Sequence, residues 1–429
     1  MTKETRTIGL SLGADLCWPA AFEELLKQLD PKIQYKGKEI NFACERVRVE
    51  PYDLQYKPKY DLVLDRVTHW YNISREWIKK ITLMDGVYTL NNPWAIQSME
   101  KHTSYCAMMR LGFPIPKTWM LPQKDYPKDE PDLQTTINRY NSLFSLKNVG
   151  ENVGYPGFLK PYDGGGWVGV RQVKNDQELV EAYNKSGNRV NHLQAGVQDW
   201  DVFVRGIGIG PQVNVIKYDP SAPLHARYVV DFNYLNAEEW KRATMTTRII
   251  NSFFGWDFNS CEMLRRAETL HPIDFANACP DSQVTSLHYH FPWLVKALLK
   301  WSIFCTTTKR KMRLNQNWTP YLEIADTDLP FEEKIIRYDA LARDHFDIDH
   351  FYAFCDEHLK DLDEVALAFF QTSRFKEIVR NKVSALFPKH EIEEFTSHFF
   401  GLVQFWCKTE RDRLSKKSST REPNLKKEV

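Results

Sequence analysis

The sequence predicts an α+β protein built from several modules, and three observations carry that prediction. Short apolar strands alternate with amphipathic helices over residues 7–90, and strand signals dominate from Tyr155 to Phe275. Beyond Leu329 they nearly vanish and helical periodicity takes over. A chain of 429 residues also exceeds the usual size of one core, so two or three packed modules are expected. Its 13 Trp and 25 Phe argue for filled interiors rather than disorder.

In chain order, strands are expected at Thr7–Leu12, Arg46–Glu50 and Asp61–Leu64, with helices near Pro19–Leu29 and Ser74–Leu83. Together they form a small α/β module over residues 1–91. Asn92-Pro93 punctuates the chain, and a helix from about Lys101 to Leu111 stops at Gly112-Phe113-Pro114. Next come a strand at Gly157–Lys160, a turn at Gly164–Gly166, a strand at Gly169–Val173 and a helix opened by Asn175 with Glu178, a capping-box pattern. Further strands are predicted at Asn191–Val197, Asp201–Ile207, Gln212–Tyr218, Arg227–Phe232, Asn259–Leu264 and His271–Phe275, with a helix over Glu238–Phe254. The boundaries divide this body into residues 92–190 and 191–328. A helical extension follows over 329–410, and the charged stretch 411–429, poor in apolar residues, reads as a disordered tail.

Composition excludes several classes of function. Lys plus Arg (57) nearly cancels Asp plus Glu (56), which removes the electrostatic footprint of a nucleic-acid-binding protein. No window approaches a transmembrane helix, and the apolar segment Ile8–Leu12 is too short for a secretory signal. The eight cysteines lack CxxC spacing, so reduced, buried thiols and a cytoplasmic location are expected. The oligomeric state is not legible.

Chemistry concentrates in four places. Lys160 sits in an apolar strand, where an ammonium is costly to bury unless an anion arrives, and Gly164, Gly165 and Gly166 just after it can point successive N–H groups at a phosphate. Lys101 opens a helix whose N-terminal dipole favours anions. Gln194, Ala195 and Val197 lie on an extended segment whose backbone can read adenine, with Asp201 seven residues past Gln194 to meet a ribose diol. Glu262 on one strand, and Asp274 and Asn277 at the end of the next, offer the oxygen ligands that Mg²⁺ requires. His288-Tyr289-His290 looks like a metal pair but precedes Phe291-Pro292-Trp293 at a helix start, where packing or substrate lining is the stronger reading.

The order of these elements resembles the ATP-grasp superfamily over residues 92–325, with residues 7–90 similar to the domain that usually precedes it. The resemblance implies an ATP-grasp fold, two α+β subdomains clasping ATP. Lys101 and Lys160 would be its two phosphate-contacting lysines and Gly164–Gly166 its glycine-rich loop. Gln194, Ala195 and Val197 would form the adenine hinge, Asp201 the ribose acid, and Glu262, Asp274 and Asn277 the metal ligands. Two departures stand out. Two residues separate Asp274 from Asn277 where many relatives have a single one in an acid-x-Asn motif, and Ser260 stands where several peptide ligases carry arginine. Arg205 either supplies that missing charge or makes a structural ion pair.

By the same resemblance the reaction is carboxylate–amine ligation with ATP and one or two Mg²⁺, Mn²⁺ being a substitute. A small-molecule or peptide carboxylate attacks the γ-phosphoryl group while Lys101 and Lys160 offset the developing charge. An amine then captures the acyl phosphate. A small-molecule kinase on the same scaffold, similar to inositol-polyphosphate kinases, and a non-hydrolysing nucleotide-binding regulator are the alternatives.

Overall fold

The computed structural model describes residues 2–48, 50–68, 71–95, 100–127, 132–140, 142–163, 167–277 and 279–421. Its architecture is α+β, with three sheets and a C-terminal helical region. The first sheet contains β1 (Thr2–Ser11), β2 (Ile33–Tyr35), β3 (Lys38–Arg46), β4 (Leu62–Asp65) and β5 (Tyr88–Leu90), in the order β2-β3-β1-β4-β5. β1 runs parallel to both β3 and β4, and its buried run Ile8–Ser11 suits a strand covered on both faces. The strand expected at Arg46–Glu50 lies earlier, as β3. Lys36 and Gly37, both at positive φ (46° and 79°), make the tight turn that folds β2 back on it.

The second sheet is antiparallel: β6 (Thr118–Leu121), β7 (Gly157–Pro161), β8 (Arg171–Val173) and β9 (Asn191–Ala195), ordered β6-β9-β7-β8. Helices Leu146–Val153 and Asp176–Asn184 cover one face, closing a small core around Leu159, Leu179 and Leu193. At the second helix the Asn175 side chain caps the Glu178 N–H (2.9 Å), while Glu178 reaches back to Lys174 N. Gly164–Gly166, the expected glycine-rich loop, lie outside the described residues.

The third sheet holds β10 (Val202–Ile209), β11 (Gln212–Tyr218), β12 (Tyr228–Val229), β13 (Phe258–Arg266) and β14 (Thr269–Asp274), ordered β12-β11-β10-β13-β14. Helix Ala237–Phe254 packs on one face so closely that a Cβ on Gly206 or Gly208 would stand 2.2 Å from Thr247 or Asn251. Alternation along β10 then turns Phe203 and Arg205 to the opposite face, toward the second sheet.

After β14 the described residues contain helices and no strand. Phe291–Thr308 is buried along almost its whole length. Phe331–Phe346 is tied to helix Ala237–Phe254 by a two-pronged Arg248–Asp339 pair (2.8 and 2.8 Å). Leu362–Phe369 and Ser373–Ser384 pack on the N-terminal helix Cys17–Leu29. The last helix, Ile392–Arg421, runs through residues 411–421, so that part of the expected tail is helical; residues 422–429 lie outside the described residues. No helix among the described residues is long and apolar enough to cross a membrane.

Candidate active site

Between the second and third sheets lies a cleft of about 890 Å³, within the size range of small-molecule sites. One wall is set by β7, β8 and β9, the other by β10, β11, β13 and β14. Lys101, Lys160, Gln194, Ala195, Val197, Arg205, Glu262, Asp274 and Asn277 all line it.

Topology explains this convergence. β13 and β14 pair antiparallel with Glu262 opposite Asp274, at a bulge that breaks the register beside Glu262, and β10 places Arg205 opposite Glu262 on the other side. Arg205, Glu262 and Asp274 thus form a row across three strands. Helix Lys101–Arg110 drops Lys101 onto the end of that row, its Nζ donating to Asp274 Oδ2 at 2.7 Å. The backbone N–H of Lys101 donates to the Tyr162 carbonyl (2.9 Å), so the side chain, not the N–H expected to attract the anion, faces the cleft. From the facing sheet, Lys160 donates to Gln194 Oε1 (2.7 Å) and to the Ile273 carbonyl (3.2 Å).

Electrostatics follow from burial and charge count. Desolvation pulls the Lys160 ammonium down to about 8, with Lys101 pushing the same way and Asp274 opposing. Burial alone would raise the Asp274 carboxyl, but the two lysines outweigh it and hold the group below its ordinary value. His192, opposite Lys160 in the β7–β9 ladder and stacked on His102, is driven down to about 4, chiefly by burial, and is neutral near pH 7.

Several expected roles are changed by these contacts. Gln194 uses its carboxamide to position Lys160 and, through Nε2, to hold Thr118 Oγ1 (3.0 Å), so of the adenine contacts expected here its side chain is already engaged. Asp201, expected to meet a ribose, does not line the cleft. It is exposed and paired with Arg265 at 2.7 and 3.0 Å, while Asp199, at φ 55°, turns into the lining instead. Arg205 is an ion pair with Glu262 inside the lining, and it also donates to Tyr228 OH at 2.6 Å. Asn277 donates to Ser260 Oγ on β13 (3.1 Å) and accepts from Cys279 N (3.3 Å), so its carboxamide ties the loop to the sheet. His288 and His290 pack as neutral rings, pushed down to about 3 and 4 by burial, with His290 on the Val229 carbonyl.

Glu262 and Asp274 fit a divalent cation by chemistry. Both are carboxylates facing an open cleft, and two such ligands completed by substrate phosphates and water are the usual Mg²⁺ arrangement. Among the described residues there is no group of three His, Cys, Asp or Glu able to hold an ion by itself. The lining also includes residues outside every sequence motif, among them Phe158, Trp167, Asp199, Trp200, Tyr218 and Arg227. Only Asp199-Trp200, just before the predicted strand at Asp201, carried a local signal.

No protein-family model matches the chain, and no curated protein matches it. Among solved structures it is similar to a RimK domain ATP-grasp protein from Sphaerobacter thermophilus, 11% identical over 69% of this chain and 99% of that one, with a TM-score of 0.46. It is similar to a D-alanine–D-alanine ligase from Bacillus anthracis complexed with ATP, 14% identical over 72% and 98% of the two chains at a TM-score of 0.42. A third likeness is to D-alanyl-alanine synthetase A from Vibrio cholerae, 16% identical over 72% and 98% at a TM-score of 0.47.

Proposed function

We propose that this chain is an ATP-dependent carboxylate–amine ligase working through an acyl phosphate. The observation that carries the reading is the meeting of Lys101, Lys160, Glu262 and Asp274 in one cleft between two sheets. Two buried ammonium groups sharing one close carboxylate leave an unbalanced positive charge, and a polyphosphate is the anion whose size and charge suit it.

In this reading Lys101 and Lys160 hold phosphate oxygens, and the Ala195–Val197 backbone faces the base. Mg²⁺, held by Glu262 and Asp274, would neutralise charge on the phosphates. The acceptor carboxylate attacks the γ-phosphorus, the P–O bond to ADP breaks, and an amine then attacks the acyl carbon with loss of phosphate. Lys160 gains strength as charge develops on the transferring group, so it favours the transition state over the ground state. Eight free cysteines suit a reducing compartment, and a cytoplasmic location is part of the same reading.

The test is Mg-ATP binding by the full chain, followed by ADP release over a panel of carboxylic acids with hydroxylamine as the amine. Hydroxamate formation supports ligation. A stable phosphorylated product with no hydroxamate would instead identify a kinase.

A further inference from the structure

Two asparagines lie wholly buried between helix Ala237–Phe254 and the third sheet, and the phosphate chemistry uses neither. Asn251 is on the helix and Asn259 on β13, each with no exposed surface. Ser260, Glu262 and Leu264 of β13 line the cleft, so alternation along the strand turns Asn259 to the helix side. A carboxamide buried there is costly unless its donors and its acceptor are met.

Asn259 meets them on the chain that leaves β14. Its Oδ1 accepts from the Asn277 N–H (2.7 Å). Its Nδ2 donates to the Phe275 carbonyl (2.8 Å) and to Asn251 Oδ1 (2.8 Å), with Cys261 Sγ farther off at 3.6 Å. The two backbone groups dictate which way the carboxamide points, since an N–H can only donate and a carbonyl can only accept. β14 ends at Asp274, where the bulge beside Glu262 has already broken the register with β13, and the Asn259 side chain takes over where the ladder stops. Asn251 braces it from the helix. With its Oδ1 committed to Asn259, the Asn251 Nδ2 is left buried against Gly208 without a hydrogen-bond partner among the described residues, a cost that an apolar side chain there would not carry.

The stretch held in this way is the one that carries the cation chemistry. Asp274 directly precedes Phe275, and Ala276 and Asn277 continue the same wall of the cleft, with the Asn277 carboxamide anchored on Ser260 Oγ. One side chain thus grips the backbone one and three residues beyond Asp274. Groups behind a metal ligand limit how far its oxygen can move, and their loss weakens metal binding although they never touch the metal.

We propose that Asn259 is a positioning residue for the Mg²⁺ site. From the face of the sheet opposite the cleft it fixes the turn Phe275–Asn277 and so aims the Asp274 carboxylate at the cation. The role rests on the reading of Glu262 and Asp274 as metal ligands. Its signature is a defect in metal affinity that precedes any chemical step.

Binding of Mn²⁺ to the full chain at saturating ADP, followed by electron paramagnetic resonance, reads that affinity without turnover. Asn259→Ala should raise the Mn²⁺ Kd by about tenfold to a hundredfold, the range for losing an outer partner of a metal ligand, and leave metal-free ADP binding unchanged. Asn259→Ser, which can still serve one of the two backbone groups, should shift the Kd in the same direction by a smaller factor, and it carries the test if the alanine variant does not fold. Asn251→Ala is the structural control. It disturbs the same buried layer but leaves both backbone contacts of Asn259 in place, so it should lower the urea midpoint and change the Mn²⁺ Kd far less than Asn259→Ala does. An unchanged Mn²⁺ Kd in a folded Asn259 variant, or an equal rise in Asn251→Ala, would overturn the proposal. A wild-type chain that binds no Mn²⁺ with ADP would overturn the metal reading and this role together. The expected pattern of Mn²⁺ affinities in a chain that forms no hydroxamate would remove ligation and leave the role standing.

Discussion

Lys296 and Lys160 are both buried near carboxylates, and they differ in what lies beside them. Lys296, in helix Phe291–Thr308, reaches Asp363 (2.7 Å) and Glu410 (3.1 Å) on two other helices, with Trp406 beside it at 5.2 Å. Lys160 has a carboxamide and a carbonyl as its hydrogen-bond partners, while the nearby Asp274 is already held by Lys101. In the helical region Lys300 and Arg413 join Lys296 around the two carboxylates, and the cluster is closed by packing. In the cleft Lys101, Lys160 and Arg205 surround Asp274 and Glu262 in the same ratio, but the cluster faces open space. Neither burial of a charge nor a surplus of one sign marks a site by itself; the two together beside an open cavity do.

The sharpest break between the two clusters is in stability. Lys296→Met should destabilise the fold by about 3 kcal/mol, the lower end for stranding buried carboxylates because Asp363 keeps some contact with water. Urea unfolding measures it, and turnover per folded molecule should be retained. Next is Asp274→Asn, which should cut kcat on the order of a hundredfold with a much smaller effect on nucleotide binding, since the interaction strengthens as charge develops. Near wild-type ADP release at saturating Mg²⁺ would show that the metal site is misplaced.

A pH titration probes the surplus charge directly. Lys160 sits at about 8, so the ammonium that holds phosphate is present below that pH and lost as pH rises through it. Mg-ATP affinity should therefore fall by roughly tenfold across that range, and Lys160→Arg should flatten the decline, because arginine stays charged. The smallest effect is expected at Asp201. As an exposed partner of Arg265, its replacement by Asn should cost no more than about 1 kcal/mol of stability and leave nucleotide affinity unchanged. A large loss of affinity would restore the ribose-binding role that its position in the sequence implied.

Asp201 also shows what the sequence could and could not convey. Strands β7, β9, β10, β11, β13 and β14 were legible because each is a short apolar run between turn residues. The direction of a side chain at a strand's entry was not, because Asp199 in a left-handed conformation resets the chain before β10 begins. The β2–β3 hairpin turns on Lys36-Gly37, a recognisable turn pair, whereas helices Leu133–Tyr140 and Leu146–Val153 are too short for their periodicity to stand out from the polar residues around them. Lys101 and Asp274 were each singled out, yet their contact spans 173 residues, and no local pattern encodes a pair so far apart.

The packing of helix Cys17–Leu29 has a consequence for biosynthesis. Its buried face, with Trp18, Phe22 and Leu25, is covered partly by Leu362–Phe369 and Ser373–Ser384, from the far end of the chain. Roughly 340 residues separate that helix from the last of these partners, so at about 5–20 residues per second a ribosome needs roughly 20 to 70 seconds to supply them. Throughout that interval a nascent chain carries an uncovered aromatic surface near its beginning. Full burial of that surface is therefore completed only after the carboxyl-terminal helices have been made.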